Sequence, residues 1–277
     1  MSTFEELGLG PEIAAALAAS GFEVPTPLQE GAIPVLRRGN NLVARAGPGA
    51  GVLVAVAAPL LDRLEPDPGQ LRLLVLTPTR DRAEALARSA ASLGRPLGVS
   101  VAALGSTWAG ADDAAALFAT PSDALEAVRG SRVKLGALEA LVVDGAAALA
   151  ALDRLDAVDT LAGFLPREAQ RVVVALPLEE EVEEFAERHA RRAVHVPPRS
   201  AVEADDSHIP RRGRLRHHAV EGPRLDALLR VLGPLVAGEP QHVALFFHTD
   251  QEGAELGEAL GLRGFSVGAP GDPEATV

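Results

Sequence analysis

Short runs of consecutive apolar residues alternate along this chain with longer stretches in which apolar positions recur every three or four residues. The runs predict strands at Asn41–Arg45, Leu71–Thr77, Val99–Leu104, Leu117–Thr120, Leu138–Asp144, Arg171–Leu176, Ala193–Val196 and His242–Phe247. Several are unbroken Leu/Val runs, the pattern of strands covered on both faces. The periodic stretches between them predict helices at Pro11–Ser20, Pro27–Arg38, Gly51–Leu64, Arg80–Leu93, Asp123–Arg129, Ala146–Leu161 and Glu179–Arg192, and later at Pro223–Val236 and Gln251–Leu260. In Glu179–Arg192 acids crowd the start and Arg and His the end, which complements the helix dipole, and Val182, Phe185, Ala186 and His189 share one face. Regular strand–helix alternation predicts an α/β fold with a parallel, doubly wound sheet.

The alternation breaks at Pro197–Arg216, which opens on Pro197-Pro198, continues through Glu203, Asp205 and Asp206, and ends on Arg211, Arg212, Arg214 and Arg216. This reads as a linker, dividing the chain into a domain at 1–196, a linker at 197–216 and a smaller domain at 217–277. No internal repeat is visible.

Composition narrows the chemistry. The 277 residues include no cysteine, which excludes a disulfide scaffold, a thiolate metal site and a cysteine nucleophile. The formal charge is −12, which disfavours tight non-specific binding to nucleic acid, since phosphate contacts need concentrated positive charge. The four arginines between 211 and 216 are the one dense basic cluster along the sequence. Lys134 is the only lysine, so any chemistry that needs a lysine must use it. The histidines lack metalloprotease spacing and no Gly-x-Ser-x-Gly string is present, so no metal site and no serine hydrolase are expected. The acidic amino terminus lacks the features of a signal peptide. The uncharged stretch Ala46–Leu61 is short and broken by glycine and proline, so a cytoplasmic protein without a membrane span is expected.

The most specific string is Gly21-Phe22-Glu23-Val24-Pro25-Thr26-Pro27-Leu28-Gln29, with Phe4 upstream and Ala32-Ile33-Pro34 after it. It resembles the Q motif of the DEAD-box ATP-dependent RNA helicases, and further strings follow in that family's order. Ala46-Gly47-Pro48-Gly49-Ala50-Gly51-Val52-Leu53 stands where the family has its phosphate loop. Thr77-Pro78-Thr79-Arg80, Gly105 and Thr120-Pro121-Ser122-Asp123 stand where it touches RNA. Val143-Asp144-Gly145-Ala146-Ala147 stands at the Asp-Glu-Ala-Asp position, and Ala175-Leu176-Pro177 where the family has Ser-Ala-Thr. Arg224–Leu229 and Val243–Thr249 resemble the opening of the family's second domain, and Gly271-Asp272 its third strand.

The resemblance implies a RecA-like, P-loop NTPase-type sheet followed by an incomplete second RecA-like lobe, since the chain stops before the family's last motifs. It implies residual nucleotide contacts at Phe4, Gln29, Gly49, Gly51 and Asp144, and RNA contacts at Arg80, Gly105 and Thr120. Arg211, Arg212, Arg214 and Arg216 are candidates by charge alone.

The departures bear on catalysis. Val52 and Leu53 stand where a working phosphate loop has a lysine that reaches the outer phosphates and a hydroxyl that helps hold magnesium. Gly145 stands where the family has the glutamate that orients water, and Asp123 reverses a charge that faces RNA. No catalytic residue is therefore assigned and no cofactor is expected to be required, with ATP and magnesium left open. The leading expectation is a degenerate helicase-like protein that binds RNA weakly or binds a protein partner. The alternatives are a weak or partner-dependent ATPase and a drifted product without activity. Bland readings stand beside these. Asp144 could cap the next helix, residues 47–51 could be only a tight turn, and Arg80 could pair with Glu84 across one helical turn.

Overall fold

The computed structural model describes residues 2–47, 49–65, 69–111, 113–198, 224–236, 245, 250–263 and 267. The chain divides into two compact units, Met1–Asp206 and Ser207–Val277.

Among the described residues the first unit carries seven strands: β1 (Leu42–Arg45), β2 (Leu73–Leu76), β3 (Val101–Ala103), β4 (Ala116–Ala119), β5 (Ala140–Asp144), β6 (Gln170–Ala175) and β7 (Val194–Val196). All neighbours run parallel, in the order β3-β4-β2-β5-β6-β1-β7. The unbroken apolar runs now have their reason, because alternate residues of each strand feed different cores. Leu73, Val75, Phe118, Val142 and Val172 enter one core. Leu74, Leu76, Leu117, Val143 and Val173 enter the other.

Helices α1 (Pro11–Ala19), α2 (Pro27–Arg37), α3 (Val52–Leu61) and α4 (Arg80–Gly94) cover the first face, with Ile13, Ile33, Leu61 and Ala87 buried there. Helices α5 (Pro121–Arg129), α6 (Ala146–Ala151), α7 (Leu155–Ala162) and α8 (Glu180–His189) cover the second, through Ala124, Leu149, Val158 and Phe185. Every residue of α3 from Val54 to Leu61 is buried, which explains a helix without a polar face.

The single helix expected at 146–161 is two. It breaks after α6, and Asp153 adopts φ +53°, a left-handed conformation that a short polar side chain tolerates. In the second unit, helices α9 (Arg224–Val236) and α10 (Asp250–Gly261) are described. The strand expected at 242–247, the Gly271-Asp272 pair and the arginines at 211, 212, 214 and 216 lie outside the described residues. Among the described residues no helix is long and apolar enough to cross a membrane.

A parallel sheet gathers its loops at the carboxyl ends of its strands, which is where open α/β sheets bind ligands. Here those ends bring together residues 46–51 after β1, 77–79 after β2, Thr120 after β4 and Asp144-Gly145 at the end of β5.

Candidate functional site

Thr26 caps α2, accepting from the Gln29 amide at 3.4 Å, while the Gln29 side chain reaches back and its Oε1 accepts from the Thr26 amide at 2.8 Å. Thr-x-x-Gln before an apolar run is the sequence pattern of this capping box. The other end of the glutamine reaches the start of α3, where Nε2 donates to the Gly51 carbonyl at 3.2 Å. Gln29 is 1% exposed, and Phe4 is 5% exposed within the core of the first face. Two of the residues expected to contact nucleotide are thus buried, and Gln29 makes its hydrogen bonds within the protein.

Gly51 caps α3 with φ +76°, and a Cβ there would lie 2.5 Å from the Gln29 nitrogen, so glycine alone fits this close approach. Gly49, also at positive φ, turns the loop before it. Val52 and Leu53 pack at the margin of the same core, and Leu176 lies against Gly47. The loop is lined by apolar side chains at the positions where a phosphate site needs a cation and a hydroxyl.

Asp144 is 4% exposed at the end of β5. It does not cap α6; Gly145 occupies that position. The Asp144 carboxylate instead faces Arg82 of α4, whose Nη2 and Nε donate to Oδ2 at 2.8 and 3.2 Å. Burial pushes the Asp144 carboxyl above the ordinary carboxylate range, and the Arg82 charge and hydrogen bond pull it back. Gly145 has φ +89°, and a Cβ there would meet Pro78 Cγ at 3.1 Å. A glutamate at that position would be strained in its backbone and crowded at its side chain. Arg154 pins the same loop, donating to the Pro78 carbonyl at 3.0 Å.

These residues do not fit magnesium-bound ATP. The carboxylate that would face the metal is already balanced by a guanidinium, and the flanking positions are apolar or glycine. Among the described residues no three metal-ligating side chains converge.

The second part of the site is a groove of about 360 Å³ whose lining includes Arg80, Arg132, Gly105 and the carboxylates Asp81, Glu84, Asp123 and Glu126. Arg80 does not pair with Glu84, which takes Arg88 instead. It forms a two-pronged pair with Asp123, Nε to Oδ2 at 2.7 Å and Nη2 to Oδ1 at 2.5 Å. The Arg80 hydrogen bond holds the Asp123 carboxyl below the usual carboxylate range, and Asp123 in turn raises Arg80. Thr120 is buried; its hydroxyl donates to Asp123 Oδ2 at 2.8 Å and accepts from the Asp123 amide, capping α5. Arg80 and Gly105 line the groove together and Thr120 joins them through Asp123, which neutralises Arg80 and occupies the Thr120 hydroxyl.

Replacing Asp123 with Arg should therefore release Arg80 and add a further cation. Single-stranded RNA affinity at low salt is expected to rise, with a salt dependence steeper by roughly 0.7 per phosphate newly contacted. Titrations of the variant and the parent at several salt concentrations check this; identical slopes would mean that the groove does not face phosphates.

Arg82 and Arg154 carry no motif that marks them in the sequence. Arg82 stands two residues after Arg80, but nothing local shows that its partner is the end of a strand 62 residues away.

A family model described as DEAD/DEAH box helicase matches residues 26–191. RNA helicase CrhR of Synechocystis sp. is 27% identical, over 96% of this chain and 54% of its own length. The DEAD-box ATP-dependent RNA helicase CshA of Bacillus subtilis is 24% identical, over 98% and 55%. The chain spans about half the length of these relatives. Among solved structures, S. cerevisiae Dbp5 bound to RNA and ADP BeF3 aligns with a TM-score of 0.69 at 20% identity, over 95% of this chain and 68% of that one. A DEAD box protein from the hyperthermophile Methanococcus jannaschii gives 0.66 at 21%, over 96% and 72%. The structural likenesses show a shared RecA-like helicase fold. With the family model covering more than half of its residues, the chain belongs to the DEAD/DEAH box helicase family.

Proposed function

We propose that this chain is a DEAD-box helicase-like protein that has lost ATP hydrolysis and unwinding and acts by binding, to a protein partner more than to RNA. The observation that carries this reading is the pair between Arg82 and the buried Asp144. A guanidinium within the fold supplies the positive charge that the family's chemistry takes from a metal ion. Val52, Leu53 and the left-handed Gly145 support the same reading, because each missing polar group has been replaced by a residue suited to packing or to backbone geometry. The Arg80–Asp123 pair supports protein over RNA, since it cancels the cation that would meet a phosphate chain.

The test is ATP hydrolysis by the intact chain with and without single-stranded RNA. Loss of a positioned general base alone costs about 10²–10⁴-fold in rate, so turnover indistinguishable from buffer is expected, with or without RNA. RNA-stimulated turnover that is abolished by Asp144→Ala would overturn the proposal and restore the catalytic reading.

A further inference from the structure

At the opposite, amino-terminal edge of the sheet lies a cavity of about 440 Å³ whose lining contains no carboxylate, in a chain with a net charge of −12. Arg167, Arg171, Arg188, His189, Arg191 and Asn41 surround it, with two alanines completing the wall. The six come from five places: the residue before β1, the α7–β6 connection, the start of β6, the last turn of α8 and the segment after α8. A strand of four or five residues separates this cavity from the loops at the carboxyl edge, roughly 15 Å at about 3.3 Å per residue.

Arg171 forms the fixed part. It is half-buried, and its guanidinium donates to the backbone carbonyls of Pro166, at 3.1 Å, and Ala169. Asn41 ties two walls together. Its Nδ2 donates to the Arg191 carbonyl at 2.9 Å, and its Oδ1 accepts from the Arg171 amide at 2.8 Å. Asp159 lies outside the lining and pairs with Arg188, at 3.5 Å, and with His189. Arg167 and Arg191 are exposed at the rim. Basic residues at the end of α8 complement its dipole, but that does not account for Arg167 and Arg171, which precede and open a different strand.

We propose that this cavity binds a compact polyanion bearing two or more phosphate groups. Guanidinium forks match phosphate oxygens in pairs, and a volume of this size falls in the range of small-ligand sites. The cations ring one cavity and do not run along a stripe, which distinguishes the site from a track for a nucleic-acid backbone. The only apolar lining is two alanines, so the cavity offers no pocket for the side-chain anchors of a peptide. The site shares no residue with the nucleotide-loop region, and its occupancy does not depend on whether ATP hydrolysis has been lost.

The probe is inorganic tripolyphosphate, titrated calorimetrically into the intact chain at low salt. Saturable binding is expected, weakening as salt rises. The double variant Arg167→Glu/Arg191→Glu, both exposed positions, should weaken it roughly tenfold or more. Arg95→Glu, an exposed charge reversal on the other face of the sheet, should leave it within about twofold. Absence of saturable binding at low salt would overturn the proposal, as would an equal loss in Arg95→Glu. Single-stranded RNA binding more tightly than tripolyphosphate, with the same dependence on Arg167 and Arg191, would also overturn it in favour of a nucleic-acid surface.

Discussion

Arg82→Ala is expected to destabilise the first unit by about 3 kcal/mol at neutral pH. That is the lower end of the range for removing one partner of a buried ion pair, because part of Arg82 meets solvent. The loss comes mainly from what remains: Asp144 at 4% exposure would hold a charge with no cation beside it. Replacing both residues by leucine should cost less than Arg82→Ala alone, since no orphaned charge is then left inside. The pH dependence has a definite sign. Burial raises the Asp144 carboxyl and Arg82 lowers it, so the variant retains only the raising influence. An acid raised in the folded state binds a proton there that the unfolded chain, with its ordinary value of about 3.9, has released. Its contribution is therefore fully favourable below that value and is lost as pH rises through the folded one. The deficit of Arg82→Ala should be largest near neutrality and should shrink as the pH falls toward about 4. Urea unfolding of parent, single and double variants across this range measures it. A pH-independent deficit below about 0.5 kcal/mol would mean that the pair is no more than a surface contact.

Gln29→Ala is expected to cost about 1–3 kcal/mol, because it orphans the Thr26 amide, while the Gly51 carbonyl loses one of two donors and keeps the Ala55 amide. The capping box and the cross-link to the loop fail together, so α2 and the start of α3 should both loosen. Gln29→Glu separates this role from that of an exposed base-reading residue. The carboxylate keeps an acceptor for Thr26 but turns a second oxygen toward the Gly51 carbonyl, so it should be at least as damaging as alanine. Thermal unfolding of the two variants decides the point. If both melt with the parent, the glutamine is free for a ligand and the internal bonds carry little.

The same residue illustrates how far the sequence reaches. Thr26 and Gln29, three apart at a helix start, already specify a reciprocal cap, and the order of the motif strings already specifies the family and its parallel sheet. These are local patterns, or patterns of patterns, and they follow from backbone geometry within a few residues. The absences at Val52, Leu53 and Gly145 are equally legible, since each is a matter of residue type at a recognised position. The turn at Asp153 was not, because the alanine-rich stretch before it is helical by propensity and the break depends on where α7 must pack.

Only the tertiary structure decided which charge meets which. Arg80 finds Asp123 and not Glu84; Arg82 finds Asp144 across 62 residues; and six polar side chains from five places line a basic cavity in an acidic protein. Strand order and chain order differ in this sheet, with β5 between β2 and β6 and β1 beyond both. Coulombic and hydrogen-bond partners are set by distance in space, and in a doubly wound sheet that distance depends on strand order, which no spacing along the chain encodes.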